Sequence, residues 1–386
     1  MDRRQFLFGA GTLSVMLAAR SASADQPARR VLVLVELKGG NDGMNTVVPY
    51  ADPLYRQFRP GIAVPRERVM QLDEHAGLHD RLEPLMDSWK ARELAIVQGV
   101  GYPYPNRSHF RSIEIWDTAS ASNQTLSEGW VSRAFDGIAL PAGAGVDAIV
   151  ADTNALPLTG PGLRTIVMQD AENFLRQAEA MKGMKDPRDG SNPALRHLLE
   201  VRHEVNGAAA GLREKLRNGP APAFTFAPDA GFGHQLDLAT RLLLARVPVV
   251  AIKVALTGFD THANQVPTQE RLLGVLASGL AVFRKNLIAA GQWNDVVVMT
   301  YSEFGRRAHQ NASGGTDHGT SAPQFVMGGT VKGGLHGRYP SLADLQDGDL
   351  KYTVDFRNVY SALARACWGR PADFGQRPVR PLDLLA

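Results

Sequence analysis

Three apolar runs of strand length, each cut off by glycine and an acid, limit what this chain can fold into. Residues 31–37 (VLVLVEL) stop at Lys38-Gly39-Gly40-Asn41-Asp42-Gly43, and residues 247–256 (VPVVAIKVAL) stop at Gly258-Phe259-Asp260-Thr261-His262. Residues 295–300 (DVVVMT) lead into Glu303, Arg306, Arg307, His309, Asp317 and His318 on a Gly-, Ser- and Asn-rich loop. Nearly continuous β-branched runs are strands buried on both faces, as in a parallel sheet covered by helices. Shorter strand patterns lie at 94–98, 146–151, 165–168 and 324–327, and helical spacing occupies 78–91, 128–135, 234–244, 267–290 and 355–368. Residues 50–65 read as irregular chain. The expected fold class is therefore α/β, with a mostly parallel central sheet and helices on both faces. Polar helix interrupted at Pro187 and Pro193 marks a helical middle insertion over about 170–228 within a single domain spanning 25–386.

The N-terminus has a leader pattern. Arg3-Arg4-Gln5-Phe6-Leu7 opens an apolar run to Ala19, and Ala22-Ser23-Ala24 forms a small-residue cleavage site. The run is shorter than the roughly 20 residues a membrane span needs. The paired arginines resemble a twin-arginine export signal, so the expected partner is that export machinery and the expected address the periplasm, with cleavage near Ala24 and no stable membrane anchor. Formal charge is +3, and without residues 1–24 it falls to about +1. No basic block with interleaved aromatics is present, which argues against nucleic-acid binding. Cys367 is the only cysteine, so neither an internal disulfide nor a multi-Cys metal site is available.

In open α/β sheets, ligands sit beyond the carboxyl ends of the strands. Asp42 is the only carboxylate in its turn, and is either a ligand or part of a tight Asn-Asp-Gly turn. Asp260 and His262, two apart in extended chain, face one point, an arrangement suited to zinc or a similar ion; a helix cap plus a hydrogen-bonded His is the other reading. Asn106-Arg107-Ser108-His109 follows a strand and opens a helix, so Ser108 is either an N-cap or a nucleophile.

GGNDGMNTVVPY, PNRSHFRS, GFDTHANQ, YSEFGRR and GTDHGTSAP resemble a family of twin-arginine-exported bacterial proteins assigned to the alkaline-phosphatase-like superfamily. The resemblance spans nearly the whole chain after the leader and implies an alkaline-phosphatase-like fold. It further implies Ser108 as nucleophile and Asp42, Asp260, His262, Glu303, Asp317 and His318 as ligands for one or two divalent ions. Zinc is the expected ion, with manganese or calcium as alternatives. Arg107, Arg306 or Arg307 would bind nonbridging oxygens, and His109 would protonate a leaving group or add a ligand. Phe304 follows Glu303 where a His ligand would be expected, which points to a changed second metal position. The implied activity is hydrolysis of phosphate or sulfate esters on a small anionic ester or glycan. The alternative is a non-catalytic periplasmic protein that binds an anionic glycan, lipid headgroup or protein partner.

Overall fold

The computed structural model describes residues 30–136, 145–182, 193–227, 231–369, 372, 374 and 382–385. The leader with Arg3 and Arg4 lies outside them. Nine described strands form one sheet: β1 Val31–Lys38, β2 Leu94–Gly101, β3 Ala148–Val150, β4 Thr165–Val167, β5 Ala251–Thr257, β6 Val296–Tyr301, β7 Ala322–Met327, β8 Gly334–His336 and β9 Val354–Asp355. Their order is β8-β2-β7-β6-β1-β5-β3-β4, with β9 on β2. All pairings are parallel except those of β7, which runs antiparallel to β2 and β6.

The described helices are α1 Pro53–Phe58, α2 Met86–Lys90, α3 His109–Thr118, α4 Trp130–Ala134, α5 Ala171–Lys182, α6 Pro193–Asn218, α7 Phe232–Leu244, α8 Gln265–Ala289 and α9 Phe356–Trp368. Side chains alternate along a strand, so β1 feeds two cores. Val33, Val35 and Leu37 pack with Leu236 of α7 and with Leu276 and Phe283 of α8. Leu32 and Leu34 pack with Trp116 of α3, Trp130 of α4 and Tyr360 of α9. Each such buried side chain contributes roughly 1.5–3 kcal/mol. The two insertion helices join the α7/α8 side, where Ala208 and Leu212 of α6 are buried. Helix α8 is long and apolar enough to cross a membrane by length and composition. Here its apolar face is a wall of the core.

Local expectations fail where proline and capping intervene. Instead of one helix over 78–91, the chain forms a strand at Gly77–His79, a 3-10 turn at Asp80–Leu85 and then α2. Pro84 lacks the N–H that a continuous helix would need there. The stretch read as irregular contains α1, capped by Asp52 with a proline in its first turn. Strand β5 starts at Ala251, four residues later than its apolar run.

For the site, the position of β1 between β5 and β6 matters most. Glu36 lies opposite Ala255 on one side and Tyr301 on the other. Because all three strands run the same way, the turns after Lys38, Thr257 and Tyr301 emerge together. Under them lies a charged layer that the apolar runs conceal. Lys253 is buried with its Nζ 2.6 Å from Glu36 and 2.8 Å from Asp152, and Lys38 reaches Asp152 at 2.7 Å. Asp117 of α3 accepts from Tyr301 Oη at 3.2 Å and from Asn154 Nδ2 at 2.7 Å.

Burial, with the nearby Glu36 charge, pushes the Asp117 carboxyl up to about 7. An unfolded Asp titrates near about 3.9. Between these values the folded chain holds a proton that the unfolded chain has released, so this group's contribution to stability falls as pH rises. We expect Asp117→Asn to remove that slope: the urea midpoint of the variant should drop less than that of the wild type between pH 5 and pH 8. Equal drops in both would refute the assignment.

Candidate metal centre

Two loops and one helix start meet above the three strand ends. His109 is the first residue of α3 and packs its ring on Phe304 at 4.9 Å and on His318 at 4.4 Å between centroids. Phe304 is buried and also lies 4.4 Å from the His318 ring, so it is the floor on which two imidazoles rest. Asp260 and His262 arrive from the β5 turn, and Asp317 and His318 from the loop after β6.

Each imidazole is oriented by an acceptor on its Nδ1. His109 Nδ1 donates to Glu303 Oε1 at 2.8 Å, His262 Nδ1 to Asp317 Oδ1 at 3.2 Å, and His318 Nδ1 to the Arg107 carbonyl at 2.8 Å. A carbonyl can only accept, so the His318 proton is on Nδ1, and carboxylates impose the same tautomer on the other two rings. The three Nε2 lone pairs then face Asp260. His109 Nε2 is 3.5 Å from Oδ2, while His262 and His318 Nε2 are 3.2 and 3.4 Å from Oδ1. His262 and His318 Nε2 are 2.9 Å apart. With both rings neutral and both outer nitrogens holding their protons, two lone pairs face each other, an arrangement that a cation between them would relieve.

The donor set fits a divalent ion. Donor atoms of His109, Asp260 and His318 all lie within 4.8 Å of one another. A tetrahedral zinc with bonds near 2.0–2.1 Å spaces its ligand atoms by roughly 3.3 Å. Acceptors on the outer nitrogens are the usual means of fixing metal-binding imidazoles. The protonation preferences follow the same contacts. Glu303 raises the pKa of His109, and burial lowers that of His318. Burial pushes the Asp260 carboxyl up, but the hydrogen bond and charge of Arg306, with His109 and His262, hold it below the usual range.

Several residues take places the sequence did not disclose. Glu303 and Asp317 orient His109 and His262, one step back from the converging donors; Glu303 also accepts from the Gly39 N–H at 2.9 Å. Asp42 lies apart from the cluster, fully buried, its Oδ2 2.5 Å from Arg59 Nη1 and bonded to Gln265. Arg59 also donates to the carbonyls of Arg307 and Ala308, which closes the Asp42 turn against the His-bearing loop. Arg306, expected to grip a ligand's oxygens, instead points inward. It donates to the carbonyls of Gly40 at 2.7 Å, Thr316 at 2.8 Å and Phe259 at 3.0 Å, to that of Gly39, and to Asp260 Oδ1 at 2.7 Å. Arg107 turns its guanidinium away to Asp349, near which Arg307 Nε also lies, at 3.9 Å. His309 stacks on Phe58 at 4.0 Å.

The glycines of the first turn serve close packing between turns. A Cβ on Gly39, at φ +115°, would stand 2.3 Å from the Asp260 backbone nitrogen, and one on Gly40, at φ +83°, would stand 2.5 Å from the Phe304 ring. They let the three turns touch one another rather than admit a ligand. Ser108 is the N-cap residue of α3 and is exposed, but makes no side-chain cap bond.

Residues 74–361 match the family described as "Protein of unknown function (DUF1501)". No curated protein matches the chain. Among solved structures, the chain is similar to the lipoteichoic acid synthase LtaP from Listeria monocytogenes, at 10% identity over 92% of this chain and 76% of that one, with TM-score 0.38. It is similar to a protein in the alkaline phosphatase superfamily from Vibrio parahaemolyticus, at 11% identity over 79% and 61%, with TM-score 0.34. It is also similar to the C-terminal periplasmic domain of EcEptC from Escherichia coli in complex with Zn, at 13% identity over 78% and 73%, with TM-score 0.34.

The geometry separates ligand candidates from the sequestered acid. We expect His109→Ala, Asp260→Ala and His318→Ala each to lose bound metal, and Glu303→Gln or Asp317→Asn to weaken binding about 10–100-fold. Asp42→Asn should keep the metal and lose about 3–5 kcal/mol of stability, because it leaves the buried Arg59 unpaired. Plasma mass spectrometry of protein purified without chelator, beside urea unfolding, reads both. Metal loss on Asp42→Asn at full stability would return Asp42 to the ligand set.

Proposed function

The chain belongs to the DUF1501 family, and from that premise we propose that it is an exported hydrolase of phosphate or sulfate esters working with one divalent ion, zinc by preference. The observation that carries the proposal is the convergence of three oriented Nε2 atoms on Asp260, one of them from His109, the residue after a serine that caps nothing. The motif resemblance to the alkaline-phosphatase-like superfamily supports the same reaction class, and the Arg3-Arg4 leader supports export.

A divalent ion in such a donor set lowers the pKa of a hydroxyl or water toward about 7 and draws charge from an ester oxygen. The remaining work belongs to the chain's own side chains. His109, His262 and His318 are held in one tautomer and one orientation, so the donor set needs little rearrangement on binding. Ser108 Oγ is the nucleophile: it gives up its proton and bonds to phosphorus or sulfur as the bond to the ester's bridging oxygen breaks, the departing oxygen takes up a proton to leave as the alcohol, and water then cleaves the serine ester and restores the Ser108 hydroxyl. The free N–H groups at the start of α3 favour an anion beside that hydroxyl.

A single ion is favoured over two. In the family resemblance Asp42 would help hold a second ion, yet here its carboxylate is committed to Arg59 and Gln265, and Phe304 supplies an apolar ring where a ligand would stand. The guanidinium of Arg59 is thus the cation that Asp42 holds.

We expect about one equivalent of metal per chain and turnover on at least one of an aryl phosphate, a phosphodiester and an aryl sulfate. Ser108→Ala should keep the metal and lose roughly a thousandfold or more of that turnover, whereas His318→Ala should lose both. A metal-loaded wild type inert on all three substrates would sink the hydrolase reading. Full activity in Ser108→Ala would sink the assigned nucleophile.

A further inference from the structure

We propose that the cleft of about 560 Å³ beside the metal centre is a sugar-binding subsite, so that the ester acted on is carried by an anionic glycan. This deepens the hydrolase reading and rests on it. The cleft adjoins the cluster through the chain itself: the Arg107 backbone carbonyl orients His318 while its side chain lines the cleft, and Thr320, two residues past His318, lines it too.

Two tyrosines stand at its walls. Tyr104, set between Pro103 and Pro105, is 85% exposed, and Tyr352 is 40% exposed. Tyr104 is held at φ +55°, a left-handed conformation unfavourable for a bulky residue. Displaying a large aromatic ring to solvent from such a backbone suggests a use for the ring rather than a packing role. A tyrosine offers a flat apolar face and a polar tip, which suits the C–H face of a pyranose ring edged by hydroxyls.

The floor is polar and pre-arranged. Asp349 is buried; its Oδ2 pairs with Arg107 Nη2, and its Oδ1 has no hydrogen bond among the described residues, with Arg307 Nε 3.9 Å away. Arg107 Nε likewise has no hydrogen-bond partner among them. Arg107 and Lys351 line the cleft together with Asp347 and Asp349, so it presents charged and polar groups of both signs. Such a mixed set of donors and acceptors matches the hydroxyls of a sugar unit next to the one carrying the ester. An acyl chain would meet buried charge there, and a free inorganic anion would have no use for aromatic walls.

Isothermal titration calorimetry of the metal-replete protein tests the subsite, with oligosaccharides of dextran sulfate, chondroitin sulfate and heparin, uncharged dextran, inorganic sulfate and phosphatidylglycerol vesicles as probes. At least one sulfated oligosaccharide should bind, and Tyr104→Ala and Tyr352→Ala should each weaken it about tenfold, with bound metal unchanged. Several results would overturn the proposal: no oligosaccharide binding, binding indifferent to both tyrosine variants, inorganic sulfate binding as tightly as the oligosaccharide, or binding to vesicles alone. The two readings fail separately. Tyrosine-dependent sugar binding without ester turnover would remove the hydrolase and keep the subsite, whereas metal and turnover with tyrosine-independent binding would remove the subsite alone.

Discussion

The candidate site depends on the guanidinium of Arg306. Its donors are divided among the turn after β1, the turn after β5 and the far end of its own loop at Thr316, with one more for Asp260. Parallel strands deliver three chain segments to one edge of a sheet but do not fix their relative height or tilt. A planar cation with a rigid fan of donors does so, and a lysine, with one rotatable ammonium, would not. Buried carbonyls without partners would each be costly, so the same contacts satisfy the backbone that the tight turns expose. Asp260 is thereby fixed as both the partner of this arginine and the point on which the imidazoles converge.

Arg59 performs the complementary task on the other side of the first turn. A buried ion pair is a weak source of stability, because desolvating both charges offsets most of their attraction. Its value here is positional. Asp42, Asn45 and the carbonyls of Arg307 and Ala308 are gathered by one side chain, and the alternative with any of them unpaired is strongly disfavoured. Phe304 lies under His109 and His318 while its edge limits Gly40 to hydrogen. The floor is therefore aromatic and dry where a second charged group would otherwise be expected.

Much of this frame was legible in the sequence, and what was not has physical reasons. The longer strands of the sheet were visible because β-branched runs need no context, whereas β8 and β9 are only three and two residues long and carry no such run; Asp260, His262 and His318 stood out because each follows a strand. Glu36 and Lys253 looked like breaks in apolar runs; only the register of β1 against β5 reveals that they neutralise one another at 2.6 Å. Nothing local marked Arg59, which comes from a Pro- and Arg-rich stretch and meets carbonyls nearly 250 residues away. Ser108 and His109 were noticed together, but the bond from His109 to Glu303 spans 194 positions. Arginine direction was the hardest property to read, because a long side chain after a strand can turn inward or outward without any change in local pattern. Arg306 turned in, and Arg107 turned toward Asp349.

Arg107 would let the molecule separate holding an ion from recognising what surrounds it. The carbonyl of Arg107 orients His318, a duty of the backbone that does not depend on the side chain. Its guanidinium belongs to the cleft, anchored by Asp349 on a short hairpin made by Leu345–Gln346 and Asp349–Leu350. The hairpin contributes to the cleft, whereas the cluster's imidazoles and carboxylates come from the strand-end loops and the start of α3. Changes in the hairpin or in the Arg107 side chain can therefore alter which molecules dock without disturbing the tautomers and spacing that define the ion site. The reverse is not so: displacing the backbone at residue 107 would release the His318 proton acceptor and move the guanidinium together. Position 107 would thus join recognition in the cleft to the geometry of the candidate ion site.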